Sequence, residues 1–219
     1  MKKMHIVGMG LVGVMLMGGW ASAARILIAE NIASGVKGDG NYYNGGGTTS
    51  SAAALRDSGG NATGVTMTHT AFSYKGNNGI LSSVISSYPS DVTPNWRYVK
   101  AGTSIASLTV TFANLTPNGH YDITFYGSYT GAGDHFTDIT INSVTQQYNA
   151  GGTADEGKTT FNSAAADGSG NLAFTIAPSS GGTYGFLNVV DISSVVPEPA
   201  TLGLLAAGGM VLAIRRRRK

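Results

Sequence analysis

Four separate stretches of this chain place an apolar side chain at every second position with threonine or another polar residue between, a period that suits a half-buried strand and not a helix. From Gly64, the residues Val65, Met67, His69 and Ala71 fall on one side and Thr66, Thr68 and Thr70 on the other. The pattern returns at 107–113 with Leu108, Val110 and Phe112, at 120–129 with Tyr121, Ile123 and Phe125, and at 171–177 with Leu172, Phe174 and Ile176. Shorter candidates lie at 24–29, 136–142, 144–148 and 158–162. The stretch 183–193 is nearly continuous in apolar residues, as expected of a central strand covered on both faces.

Turn signals separate these stretches: Asn114 to Gly119, Gly131 to Asp134, Gly151-Gly152, Asp167 to Asn171 and Ser180 to Gly182. Residues 35–64 are rich in glycine and serine and read mostly as a long loop, with Tyr42 and Tyr43 as anchors and at most one helical turn at 52–56. Only the spacing of Ile80, Leu81, Val84 and Ile85 suits a short helix. Many short strands at near-regular spacing predict an all-β body over 24–194: an antiparallel two-sheet sandwich, jelly-roll-like, of about eight or nine strands. The chain has no cysteine, so burial alone must hold this body, and neither a disulfide framework nor a cysteine metal site is possible.

The two ends have a different character. Lys2 and Lys3 precede an apolar run over 6–20 and then Ala21-Ser22-Ala23-Ala24, which reads as a secretory signal peptide, 1–23, cut by signal peptidase after Ala23. At the other end, residues 195–219, Val196-Pro197-Glu198-Pro199 forbids a helix, an uncharged apolar run covers 200–214, and Arg215 to Lys219 closes the sequence. Fifteen residues make a helix of about 22 Å, short of the ~30 Å hydrocarbon core. Arginine side chains that reach outward and local bilayer thinning close the gap, so the run reads as a transmembrane helix. Both cationic clusters stay cytoplasmic by the positive-inside rule, which puts the body outside.

The charge balance agrees. Removing the seven cations of the ends from 14, and Glu198 from 12 acids, leaves seven cations against eleven acids, a body near −4. A nucleic-acid partner, which needs a basic patch on the domain itself, is excluded.

Val196-Pro197-Glu198-Pro199, the apolar run and the basic tail, in that order, resemble the PEP-CTERM sorting signal of exported bacterial proteins. The resemblance implies that a membrane protease-transpeptidase, an exosortase, reads this segment and cuts at or near Pro197-Glu198-Pro199. It implies an address and not an activity. The body, from Gly64-Val65-Thr66-Met67-Thr68 through Asn114 to Ser128 and on to Tyr184-Gly185-Phe186-Leu187-Asn188-Val189-Val190-Asp191-Ile192, is similar to galactose-binding-like jelly-roll modules found beside carbohydrate-active enzymes. That class commonly carries an Asp-Asn-Arg stretch where this chain has Asp134-His135-Phe136-Thr137-Asp138, without the arginine.

Few residues invite a catalytic reading. There is no G-x-S-x-G element, and Asp155 and Glu156, as neighbours in sequence, would point apart on an extended chain. His69 reads as a core or rim histidine and His120 as solvated, while His135 between Asp134 and Asp138 is the most suggestive of the three. Asp39, Asn41, Asp134, Asp138 and Asp191 offer oxygen ligands for calcium but no EF-hand spacing, so no metal or other cofactor is assigned. Aromatic residues are the remaining lead, because Tyr and Trp join an apolar face to a polar tip. Trp96, Tyr129, Asp134, His135 and Tyr184 form the expected ligand face, with Tyr126 as a further ring; Trp96 either plugs the sandwich edge or meets ligand directly.

These features predict an exported, membrane-tethered, non-catalytic module that ends at the cell surface or in the extracellular matrix and associates with polysaccharide. The alternatives are an extracellular hydrolase working through His135 or Asp138, and a purely structural surface protein.

Overall fold

The computed structural model describes residues 25–30, 32–46, 53–70, 74–76, 88–89, 92, 95–131, 133–151 and 157–195. The expected signal peptide with Ala21, Ala23 and Ala24, the short helix at 80–87, Val196 to Pro199, the helix at 200–214 and the basic tail lie outside these residues. Among the described residues all regular structure is β, and no helix is long and apolar enough to cross a membrane.

The first strands are β1 (Arg25–Glu30), β2 (Gly35–Val36), β3 (Tyr42–Gly46), β4 (Ala53–Arg56) and β5 (Ala62–His69). Next come β6 (Tyr74–Gly76), β7 (Trp96–Lys100), β8 (Leu108–Ala113), β9 (His120–Tyr126) and β10 (Phe136–Ile141). The last are β11 (Val144–Asn149), β12 (Lys158–Ala165), β13 (Leu172–Pro178), β14 (Tyr184–Leu187) and β15 (Val189–Ser194). They form a six-stranded sheet ordered β12-β9-β15-β1-β3-β2, a second ordered β11-β10-β13-β8-β5-β4, and a small third sheet β14-β7-β6.

The two large sheets face each other across one core, consistent with a sandwich. Rows expected from the alternation are the rows found inside: Leu108, Val110 and Phe112 on β8, Tyr121, Ile123 and Phe125 on β9, and Leu172, Phe174 and Ile176 on β13 are all buried. Phe125 of the first sheet meets Phe174 of the second edge-to-face, with centroids 4.8 Å apart. Burying each such ring contributes on the order of 1.5–3 kcal/mol. Strand β1 is covered on both sides: Ile26 and Ile28 face this core, while Leu27 and Ala29 join Tyr43, Tyr88, Val92, Tyr126 and Val189 in a second cluster.

Four expectations need correction. First, the sheet pairing is not wholly antiparallel, because β1 and β3 run parallel, with Leu27 opposite Tyr43. The cause is β2, which turns back and pairs antiparallel with β3, so the chain re-enters the sheet running in its first direction.

Second, the described residues of 35–64 are more strand than loop, and 53–56 is strand rather than part of a helical turn. Glycine hid β3 from any hydrophobic count. A Cβ on Gly45 would overlap the Ile32 carbonyl oxygen, so glycine here marks a close backbone approach and not slack. Asn44, buried, does the work of an apolar anchor: its Nδ2 donates to the Leu27 and Arg56 carbonyls at 2.9 and 2.8 Å, and its Oδ1 accepts from Arg56 N–H at 2.8 Å.

Third, Trp96 opens β7, a strand in a stretch where the alternation marked none. Fourth, the apolar stretch at 183–193 is two strands in two sheets. It breaks at Asn188, which is fully buried and saturated: its N–H donates to the Tyr126 carbonyl at 2.8 Å, its carbonyl accepts from Glu30 N–H at 2.8 Å, and its Oδ1 and Nδ2 bond Ser128 at 2.8 and 3.0 Å. An apolar residue there would leave the buried N–H of Ser128 without that partner. Beyond it β15 is central, between β9 and β1.

Glu30, at the end of β1, meets Arg97 of β7 at 2.8 Å, with both side chains nearly dry at 3% and 6% exposure. Burial pushes the Glu30 carboxyl up to about 7, against the opposing pull of the Arg97 charge.

Candidate functional site

Strands β7 and β14 pair so that Tyr98 stands opposite Phe186 and Lys100 opposite Tyr184. Side chains alternate along a strand, so Trp96, Tyr98 and Lys100 share one side of β7, and Tyr184 and Phe186 share one side of β14. Six rings meet there. Phe186 is buried and lies under Tyr129, stacked at 4.5 Å and 13°. Trp96, 8% exposed, stands perpendicular to both Tyr129 and Phe186 at 5.7 and 5.3 Å. Tyr98 touches Tyr184 edge-to-face at 5.2 Å, and His135 lies 4.9 Å from Tyr129 and 6.3 Å from Tyr184. Lys100 Nζ sits 5.6 Å from the Tyr184 centroid, within reach of its π-face.

The arrangement is a dry floor under a wet rim. Trp96 and Phe186 make the floor, and the partly exposed Tyr98, Tyr129, Tyr184 and His135 make the rim. A Cβ on Gly76 would overlap the Trp96 indole, so the bare backbone of β6 is what lets the floor close.

The loop that carries His135 is held from below by Asn149, which is buried at the end of β11. Its Nδ2 donates to Asp134 Oδ1 at 2.7 Å, and its Oδ1 accepts from the N–H groups of His135 and Gly151 at 2.9 and 3.0 Å. Ala150 continues the clamp, donating its N–H to the His135 carbonyl and accepting from Tyr129 N–H. Burial lowers the His135 pKa, with the Asp134 charge opposing, so the imidazole is held neutral at neutral pH. Its Nε2 is buried without a hydrogen-bond partner. Around it the rings of Tyr129 and Phe186 stand at 77° to the imidazole.

Of the expected ligand-face residues, Tyr129, His135 and Tyr184 come together at the rim. Trp96 belongs to the same cluster but fills the floor. Asp134 is exposed beside it and spends one oxygen on Asn149. Tyr126 lies in the other cluster, edge-to-face with Tyr88 at 4.5 Å, away from this face. Sequence reasoning missed Lys100 and Asn149. The alternation of Trp96, Tyr98 and Lys100 was a usable signal once 96–100 is seen as a strand.

The other candidates disperse. His69 is buried, with Nδ1 2.7 Å from the Thr70 carbonyl. Asp138 accepts from Gln147 Nε2 at 2.8 Å on the exposed side of β10. Asp191 is held by Arg25 at 2.7 Å and by Tyr88 OH at 2.8 Å, while Asp39 takes Asn41 and Tyr43. Among the described residues no group of three His, Cys, Asp or Glu side chains is placed to hold a metal ion. His120 Nδ1 lies 2.9 Å from Ser163 Oγ, but it also faces the Ser163 carbonyl at 3.1 Å, and the Asp122 carboxylate takes the Ser163 N–H rather than the imidazole. Two shallow clefts of about 300 and 290 Å³ open at the far rim of the sandwich, one beside Ile141 and Phe161 and one beside Leu115 and Ile192, apart from the aromatic face.

The described residues end at Val195, whose N–H donates to the His120 carbonyl, and in the sequence Val196-Pro197-Glu198-Pro199, the apolar run and the cations follow at once. Residues 195–218 match the PEP-CTERM protein-sorting motif. A PEP-CTERM motif implies exosortase processing of an exported, membrane-anchored precursor. No curated protein matches the chain.

Solved structures similar to the body include the CBM36-1 domain of a multidomain xylanase from the hindgut metagenome of Trinervitermes trinervoides, at 15% identity, 46% of this chain, 79% of that chain and a TM-score of 0.33. A family 35 carbohydrate binding module from Clostridium thermocellum matches at 14% identity over 54% of this chain and 89% of that chain, with a TM-score of 0.32. Bacteroides uniformis beta-glucuronidase 2 matches at 12% identity over 78% of this chain but only 18% of its own, with a TM-score of 0.45.

Proposed function

We propose that this PEP-CTERM protein is a non-catalytic polysaccharide-binding module, delivered to the cell surface or the extracellular matrix, and that the rim of Tyr98, Tyr129, His135 and Tyr184 is where it meets sugar rings. The observation that supports this is the convergence of four partly exposed rings from two strands and one clamped loop onto a floor of Trp96 and Phe186. A sugar ring offers C–H groups on its faces and hydroxyls at its edge. Tyrosine matches both, with a flat apolar face and a phenolic donor, and loses little freedom on binding when packing already fixes the ring. Exposed Asp134 adds an acceptor at the border for hydroxyl groups.

The test is affinity electrophoresis of the protein through gels containing xylan, galactan or mannan. Retardation by at least one of them is expected. Tyr129→Ala and Tyr184→Ala should each weaken it about tenfold, a loss of about 1.4 kcal/mol, with unchanged circular dichroism. Absence of retardation on every polysaccharide would remove the proposal.

A further inference from the structure

The aromatic face and the exit of the chain lie at opposite poles of the sandwich. Strand β15 pairs antiparallel with β9, so Val189 stands opposite Tyr126 at one end and Ser194 opposite Tyr121 at the other, where Val195 bonds His120. The face belongs to the Val189 end: Phe186 and Tyr184 precede it in β14, and Tyr129 follows Tyr126. Strand β12 reports the same polarity, with Lys158 opposite Tyr126 and Ala165 opposite His120. Arg25 pairs with Ser193, so β1 also begins at the exit pole.

The lead between fold and membrane is short. From Val195, still bonded to the sheet, to Ala200, where the uncharged run begins, is five residues, at most about 18 Å of extended chain. Strand β15 alone, from Val189 to Ser194, spans about 17 Å, and the rings lie beyond its far end. A lead that short cannot carry the far pole round to the bilayer while the near pole stays attached. We infer that the tethered precursor presents its aromatic face away from the membrane and binds polysaccharide before the sorting motif is cut, an inference that rests on the proposed binding function and on membrane insertion of the run after Ala200.

Because the chain lacks cysteine, single cysteines report position cleanly. The full chain is reconstituted in phosphatidylethanolamine/phosphatidylglycerol vesicles with Ser169→Cys, exposed near the exit pole, or Ser180→Cys, exposed near the aromatic pole, each carrying a fluorophore. Nitroxide on the lipid headgroups should quench the label at 169 several-fold more than the label at 180. Equal or reversed quenching overturns the inference. In the same vesicles fluorescein-labelled xylan, galactan and mannan are titrated against the tethered chain and the detergent-solubilised full chain. Affinities within a factor of two are expected, and binding by the solubilised chain alone also overturns the inference. If neither form binds, the binding proposal fails, while the quenching still decides the orientation.

Discussion

Replacing Glu30 by glutamine separates one buried charge from everything else that titrates. In the folded protein the carboxyl is raised from 4.5 to about 7, chiefly by burial and in spite of Arg97 at 2.8 Å. A raised carboxyl binds its proton more tightly folded than unfolded, so the stability tied to Glu30 is fully present below about pH 4.5 and is lost as the pH rises through about 7. The shift of about 2.5 corresponds to about 3 kcal/mol, since each pKa step is worth about 1.4 kcal/mol. Every other ionisable group is common to both proteins, so contributions from elsewhere cancel in the difference. Urea unfolding followed by tryptophan fluorescence from pH 4.5 to 8 should therefore show wild type losing about 3 kcal/mol relative to E30Q as the pH rises, whatever the fixed cost of removing Arg97's partner. Parallel curves, or wild type gaining on E30Q with rising pH, would refute the reasoning and mean that attraction to Arg97 outweighs desolvation.

Two further outcomes test the backbone. Asn142 and Ser143 form the two-residue turn between β10 and β11 with φ of 48° and 65°, the left-handed pair that a hairpin turn of this kind prefers to fill with Asn-Gly. Ser143→Gly should raise stability by about 1 kcal/mol, measured as an increase in the urea midpoint. Gly45→Ala should destabilise by at least about 2 kcal/mol, because its methyl would overlap the Ile32 carbonyl and force β3 from its place. An unchanged midpoint in that variant would show that the close approach has slack.

The parts of the fold legible in the sequence are those where burial is one-sided and apolar. Along β8, β9 and β13 each inward position is Leu, Val, Ile, Phe or Tyr, so period two alone marks strand, face and core. Strand β3 carries the same structural duty with Tyr43 and Asn44 inside and glycine between backbones, and hydropathy has no view of an asparagine that anchors by three hydrogen bonds to neighbouring strands. The break at Asn188 was hidden for a related reason: one polar residue in an apolar run looks like an interruption of burial when it is the most buried point of the run. At the candidate site, Tyr129, His135 and Tyr184 could be chosen for chemistry, but their convergence depends on β7 and β14 pairing across nearly ninety positions of sequence. Which ring lies under which is a property of that pairing, and so Trp96 could be read either way until the strand around it was seen.

The position of β15 sets how this body bears a mechanical load. Phe186 and Val195 bracket the strand, which is hydrogen-bonded to β1 on one side and to β9 on the other. Tension between Tyr129, which continues β9 beyond Tyr126, and the tail pulls two antiparallel neighbours from opposite ends, so the β9–β15 ladder is loaded in shear and its bonds share the force instead of unzipping rung by rung.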